Sequence, residues 1–347
     1  MTAPSGTGEL RIEAVDPFDD DTFEAWHAVY LSSQRHVREP AAVTAWTLGE
    51  MRPQMQAQGS KRWAGAFLGR VDEVPVASGY LATPLLDNLA QAQVSLDVGP
   101  DHRGRGHGST MLAHLLRQAA SRGRDVVTAE TSWEWDAPVD GAGRAGPALL
   151  RRHGFELGLT EVLRVLDLPV AAERLHDLAA QAAPHHAAYP LRSFVGRVPD
   201  ELAEQWAAIT ASLSTEAPVG SLSVEAETGD VALLREEEDM LARQARTRYA
   251  SVALTADGQV AGYTEIVTTE HEPGKAYQWG TVIRREHRGR RLGSAVKTAT
   301  LLLLQEHVAD LHSVRTWNAD SNTHMVAVND ALGYRPVERL GTFERRV

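Results

Sequence analysis

One octapeptide occurs twice in this chain, and that repetition limits the architectures open to it. His102-Arg-Gly-Arg-Gly-His-Gly-Ser109 returns as His287-Arg-Gly-Arg-Arg-Leu-Gly-Ser294, identical at six of eight positions and displaced by 185 residues. Flanking signals recur in the same order. Val76-Ala-Ser-Gly-Tyr80 and Gln259-Val-Ala-Gly-Tyr263 precede the octapeptides, and His153-Gly-Phe155 and Leu332-Gly-Tyr334 follow them. Self-similarity at long spacing means two copies of one structural plan. The 347 residues are also enough for two domains. The expected division is a first domain over 8–168, a linker over 169–188 and a second domain over 189–347. The linker is alanine-rich and ends in Pro184-His-His-Ala-Ala-Tyr-Pro190, where prolines interrupt regular structure. His185 and His186 are adjacent, a spacing that reads as an exposed pair and not as metal ligands.

Each half reads as mixed α/β, a central mixed sheet flanked by helices. In the first half, strands are expected over 10–15, 62–68, 76–82 and 92–98, and a helix over 21–32, opened by acidic residues that suit its positive end. The second half repeats the plan with strands over 191–195, 250–254, 260–268 and 276–283, and helices over 200–212 and 230–246. The internal duplication makes the chain a pseudo-dimer of itself.

Composition narrows the function classes. Thirty-five Lys and Arg against 46 Asp and Glu leave a net charge of −11, which disfavours generic nucleic-acid binding. There is no cysteine, so disulfides, thiolate nucleophiles and cysteine-based metal sites are absent. The first ten residues carry neither a basic nor an apolar run of the kind that directs secretion, and no stretch approaches a membrane span. A cytoplasmic protein is the expectation.

In both copies the octapeptide lies between a strand and a helix. After the first, Met111, Leu112, Leu115, Leu116 and Ala119 follow at helical spacing. A glycine-rich turn that opens a helix aims free backbone N–H groups and the positive end of the helix dipole at one point, a geometry that binds phosphate. Arg103 and Arg105 add candidate charge-assisted donors. A Walker loop would need lysine before its serine, and neither copy has one. A dinucleotide loop fits Gly104-x-Gly106 with Glu130 after the next strand, but Ser109 stands where its third glycine belongs and the repeat has Arg291 in place of its second.

The remaining pattern, Arg-x-x-Gly-x-Gly, is matched by Arg103, Gly106 and Gly108. Here the chain resembles the GNAT superfamily of acyl-CoA-dependent N-acyltransferases, over nearly its whole length and as two tandem domains, a layout similar to that of mycothiol synthase. The resemblance implies acetyl-CoA as the acyl donor and a primary amine of a small molecule or peptide as the acceptor. Transfer would be direct, with no metal, nucleic-acid or membrane partner. It implies cofactor contacts from Val98, Arg103, Gly104, Arg105, Gly106, His107, Gly108 and Ser109. In the second half it implies them from Val282, Ile283, Arg288, Gly289, Arg290, Arg291, Leu292, Gly293 and Ser294. Trp317 to Tyr334 looks like the family's fifth strand and following helix, where two strands splay to take the pantetheine arm; Asn318 would flank the opening and Asn322 would offer an amide or cap the helix.

The chain departs from the family pattern at the reacting centre. Leu150 and Asn329 stand where a general-acid tyrosine is usual, and Ala92 and Tyr277 where a glutamate is frequent. Glu265 and Glu270, on or just after one strand of the second half, are the candidate bases. A strand N–H near Val282 or Ile283 is the expected oxyanion donor. His107 reads as a surface residue, and Trp133 and Trp135 as packed aromatics that could instead line a cleft. The second half is the expected catalytic one. A non-catalytic acyl-CoA sensor is the alternative, favoured by the missing acid and base.

Overall fold

A computed structural model describes residues 9–36, 38 and 42–346, so the outermost residues of both expected domains and most of the N-terminal leader reading lie outside the described residues. The chain forms two compact units. The first runs to Leu159 and also takes the chain's end from Leu340; the second is Thr160–Arg339.

In the first unit the sheet order is β1 (Arg11–Val15), β2 (Arg62–Val71), β3 (Val74–Pro84), β4 (Gln91–Val98), β5 (Val126–Glu134), then the end of β12 (Arg335–Arg346). Neighbours from β1 to β4 are antiparallel, whereas β4 and β5 run parallel. Helix α1 (Asp20–His36) has Asp20 and Asp21 in its first turn and Arg35 and His36 in its last, each favourable to the dipole. It buries Phe23 and Trp26 with Met55 of α2 (Leu48–Gln56) against Ala66 and Leu68. On α3 (His107–Ser121) the expected stripe from Met111 to Ala119 is buried against the strands, beside Leu150 of α4 (Ala145–Arg152).

In the second unit the order is β6 (Glu156–Asp167, of which Thr160 onward belongs here), β11 (Ser313–Ala319), β10 (Lys275–Ile283), β9 (Val260–Thr269), β8 (Arg246–Leu254), β7 (Leu191–Val195). One core joins α9 (Leu292–His307), through Leu301 and Leu304, to Ile266, Ala276 and Val314. The other packs α6 (Ala203–Ala211) and α8 (Val231–Arg243), through Trp206, Ile209 and Leu234, on Val252, Tyr263 and Val282. The short α7 (Leu213–Glu216) and α10 (Thr323–Leu332) complete the unit.

Three expectations differ from the structure. The segment 169–188, read as a linker whose alanine-rich stretch could make a short helix, lies within the second unit. It holds α5 (Ala172–Ala182), whose Leu175 is fully buried among Leu301, Leu304 and Leu332, because its apolar stripe has a core to join. The helix expected over 230–246 ends at Arg243, and β8 begins at Arg246, since the strand interior holds arginines that an apolar pattern does not reveal. The repeat alignment also slips by two in one strand. The last residue before each loop, Val98 or Ile283, pairs with Ala77 or Gly262, so Tyr80 is the positional counterpart of Glu265 and not of Tyr263.

Among the described residues no helix is long and apolar enough to cross a membrane, and no group of three or more His, Asp or Glu could hold a metal ion.

Candidate active site

Each octapeptide bends from a 3-10 turn into a helix. In the first unit Gly104 and Gly106 have φ of 75° and 89°, the left-handed region that glycine enters freely. Gly289 repeats the first of these with φ 78°, and Arg291 repeats the second with φ 53°, ψ 20°, as the residue capping α9. Arginine therefore does not change the loop's path. It is held left-handed at a cost of about 1–2 kcal/mol. The first intrahelical donors are Thr110, to Gly106 O, and Ala295, to Arg291 O. The N–H groups of His107, Gly108 and Ser109, and of Leu292, Gly293 and Ser294, thus project from the helix ends. A Cβ built on Gly104, Gly106 or Gly289 would meet nothing within 4 Å, and one on Gly293 only Ile283 at 4.0 Å, so the loops border open space that an anion can enter.

The loop arginines are differently employed than expected. Arg103 Nε donates to Val98 O at 3.1 Å and its Nη2 to Ser33 Oγ at 2.9 Å. Arg288 Nε donates to Ile283 O at 3.0 Å, and its Nη2 and Arg285 Nε both bind Glu216 Oε2. These first arginines brace the loops. Arg290 and Arg291 donate to backbone carbonyls of Glu286, Arg288 and Gln181 and have no carboxylate partner among the described residues, which leaves their charge available to a phosphate. Ser109 Oγ shares a hydrogen bond with His153, and His107 is buried at the start of α3, not a surface residue; burial lowers its pKa, with His102 and Arg105 adding to the effect.

Beside each loop the sheet opens. Parallel pairing of β4 with β5 stops at Val94 and Ala129, and that of β10 with β11 at Tyr277 and Arg315, although all four strands continue. Arg284 N donates to Ala261 O, and Val282 pairs with Tyr263. Because N–H direction alternates along a strand, the Val282 N–H faces β9 while that of Ile283 faces the opening. Only the second unit adds a bulge there. Trp279 and Gly280 of β10 together oppose Glu265 of β9, whereas β4 pairs with β3 without a shift. An isolated glycine inside a strand is the sequence signal for such a bulge. Here it is required, since a Cβ on Gly280 would lie 2.0 Å from the Tyr263 hydroxyl.

Glu265 lies opposite the bulge and is 6% exposed. Its Oε2 accepts from Arg248 Nε at 2.8 Å, while Arg248 Nη2 reaches Glu237 Oε1 at 2.8 Å and Nη1 reaches Glu238 Oε1 at 3.2 Å. Trp206 lies under the guanidinium, 5.6 Å from its ring centre. Burial raises the Glu265 pKa from 4.5 to about 7; Arg248 opposes the rise and Glu237 adds to it. Tyr263, two residues away on the same face, is held protonated first by burial and then by those two carboxylates. The structure does not bring Glu270 here: it is exposed at the other end of β9, roughly 16 Å away at about 3.3 Å per residue.

The remaining candidates sit behind the opening. Asn329 is fully buried, accepts from Lys297 Nζ at 2.9 Å and donates to Asn318 Oδ1 at 3.1 Å. Asn318 in turn donates to Ala319 O, and Asn322 caps α10 by accepting from Met325 N at 3.2 Å. In the first unit the place of Glu265 is taken by Tyr80, whose hydroxyl accepts from Arg62 Nη2 at 3.0 Å, and Arg62 also binds Gln93. Trp133 is packed, donating to Pro138 O, and Glu130 follows directly on the last residue of β5 that pairs with β4. Sequence reasoning missed Arg248, Tyr263, Gly280 and Lys297.

A family model for the Acetyltransferase (GNAT) family matches residues 26–134 and 206–334. The chain belongs to this family, with one copy in each half. Among solved structures it is similar to a tandem GNAT protein from the clavulanic acid biosynthesis pathway, with a TM-score of 0.77 and 25% identity over 97% of this chain and 98% of that one. A GCN5-related N-acetyltransferase from Sphaerobacter thermophilus gives 0.64 at 14% identity over 99% and 97%. Saccharomyces cerevisiae N-myristoyltransferase with bound myristoyl-CoA gives 0.58 at 12% identity over 99% and 79%. No curated protein matches the chain by sequence.

Proposed function

We propose that the second unit transfers an acetyl group from acetyl-CoA directly to a primary amine of a small molecule or peptide, and that the first unit binds a CoA thioester without turning it over. The observation that carries this reading is the β10 bulge opposite Glu265, beside the strand opening and the α9 N-terminus. The open cradle over Gly289 and Gly293 fits a diphosphate, and the diverging edges of β10 and β11 fit an extended amide arm.

The N–H groups of Leu292, Gly293 and Ser294, with Arg290 and Arg291, would hold the phosphates, and the Ile283 N–H would meet the arm. A bound thioester supplies an activated carbonyl carbon. Glu265 takes the proton from the acceptor's ammonium, a task suited to a carboxylate whose pKa stands near neutrality. Arg248 fixes one carboxylate oxygen and leaves the other to receive that proton. A backbone N–H freed by the bulge polarises the carbonyl without reorganisation. The first unit has the intact loop but no bulge in β4, and no carboxylate at the position that matches Glu265. Tyr80 and Arg62 occupy that ground, and a guanidinium there disfavours an approaching ammonium.

Glu265→Gln tests the assignment. Acetyl transfer to an amine panel falls about 10²–10⁴-fold, while CoA binding by calorimetry is unchanged. Binding without transfer by the wild-type protein to any amine would establish the sensor reading in its place.

A further inference from the structure

Lys297 is one of three lysines in the chain and is almost wholly buried on the inner face of α9, with no salt-bridge partner among the described residues. Its amine stands 5.4 Å from the ring centre of Tyr334, whose buried hydroxyl has no hydrogen-bond partner among the described residues; the same holds for the hydroxyl of the adjacent residue, Thr298. A buried amine among unmet polar groups costs stability, and an apolar side chain would pack there more easily. Its one hydrogen bond begins a directed chain. Lys297 Nζ donates to Asn329 Oδ1, Asn329 Nδ2 to Asn318 Oδ1, and Asn318 Nδ2 to Ala319 O, which also accepts from Asn322 N at 2.9 Å.

Each link sets the next. An amine so placed donates to Asn329, which orients that amide with its oxygen inward and its nitrogen toward Asn318. Asn318 must then accept with its oxygen and donate with its nitrogen. The chain ends on the turn where β11 passes into α10, at the lip of the opening beyond Arg315. An apolar residue at 297 would leave both amides free to flip and the lip unpinned.

We propose that Lys297 is a positioning residue: through Asn329 and Asn318 it holds the β11 lip in the shape that receives the amide arm of a CoA thioester. The inference rests on the reading that this opening binds CoA. Lys297 touches no reacting atom, so its effect falls on binding and KM and not on kcat.

The test uses the full chain in a Gly108→Glu background, in which a carboxylate blocks the first loop, with CoA as the calorimetric probe. Lys297→Met weakens binding about tenfold, and Lys297→Gln, which can still donate to Asn329, recovers to within about threefold. Asn329→Asp is the discriminating variant. It keeps Lys297 satisfied by an ion pair and melts no lower than its parent, but its carboxylate only accepts, so Asn318 must flip and direct its oxygen at Ala319 O. Binding by this variant about tenfold weaker, with kcat for acetyl transfer within about threefold, supports the proposal. Parental affinity in Asn329→Asp, or Lys297→Gln no better than Lys297→Met, overturns it. Absence of CoA binding in the Gly108→Glu parent overturns the reading of the opening itself.

Discussion

Two buried titratable groups in the second unit have opposite effects on stability, and their pH windows separate them. Glu265 has a folded pKa of about 7, above its ordinary 4.5, so the folded state binds the extra proton between those values. Its favourable contribution is complete below about pH 4.5 and is lost as pH rises through 7. Lys297 has a folded pKa of about 7, below its ordinary 10.5, so the unfolded state binds the extra proton. Its favourable contribution is complete above about pH 10.5 and is lost as pH falls through 7. The groups acting on Glu265 are Arg248, itself bound to Glu238, with Glu237 and Tyr263, whereas among the described residues Lys297 meets Asn329 and the Tyr334 ring. Thermal melts across pH 7–10.5 should therefore show Lys297→Met gaining on wild type steadily as pH falls, with the difference flat below 7. A constant difference across that range would show an amine charged in the fold as it is in water. Glu265 was legible as a candidate base together with Glu270, because both lie on or just after the strand that Tyr263 helps define. Arg248, which holds Glu265, was not, since a buried arginine is written in the same letters as an exposed one and only the packing of α8 distinguishes them.

At the scale of elements, the strand–loop–helix units were readable in both halves because glycine spacing, helical periodicity and the preceding β-rich run agree on one conformation. The register of β9 was less legible. Its Gly-Tyr pair aligns with that of β3 by letters, but backbone pairing with the loop strand places the two pairs two residues apart. A two-residue slip preserves the face of every side chain, so hydrophobic pattern alone has no means of detecting it. The bulge then makes the second unit's strand differ from the first. Its requirement for Gly280 is steric: a Cβ there collides with the Tyr263 hydroxyl. Gly280→Ala should lower kcat at least tenfold and destabilise the unit by about 1–3 kcal/mol, the range for overpacking a core. Removing the hydroxyl in Gly280→Ala/Tyr263→Phe should recover part of the stability in a chemical melt, because the nearest clash is then gone. If the double variant is less stable than the single, Tyr263 is not what the glycine accommodates.

For the whole molecule, the repeat gives two glycine-bearing turns of one backbone geometry but unequal surroundings, and both are proposed here as phosphate cradles. The first keeps glycine at every left-handed position, and the second keeps the same path with Arg291 held left-handed at one of them. On the proposed reading, phosphate binding depends on backbone direction, which both preserve, whereas chemistry depends on the bulge and on Glu265, which have no counterpart at the matching positions of the first unit. The two halves should therefore separate in a titration. Wild-type protein should bind two equivalents of CoA. Gly108→Glu and Gly293→Glu should each bind one, since a carboxylate at the helix end takes the place of the diphosphate and also suits the dipole; a Cβ at 108 stays in ordinary contact with Leu149 at 3.4 Å. Among these, Gly293→Glu should lose acetyl transfer altogether, and its remaining equivalent of CoA would mark the first unit as a site that holds the thioester without reacting. Transfer surviving in Gly293→Glu and vanishing in Gly108→Glu would reverse the assignment of roles and place the chemistry beside Tyr80 and Arg62.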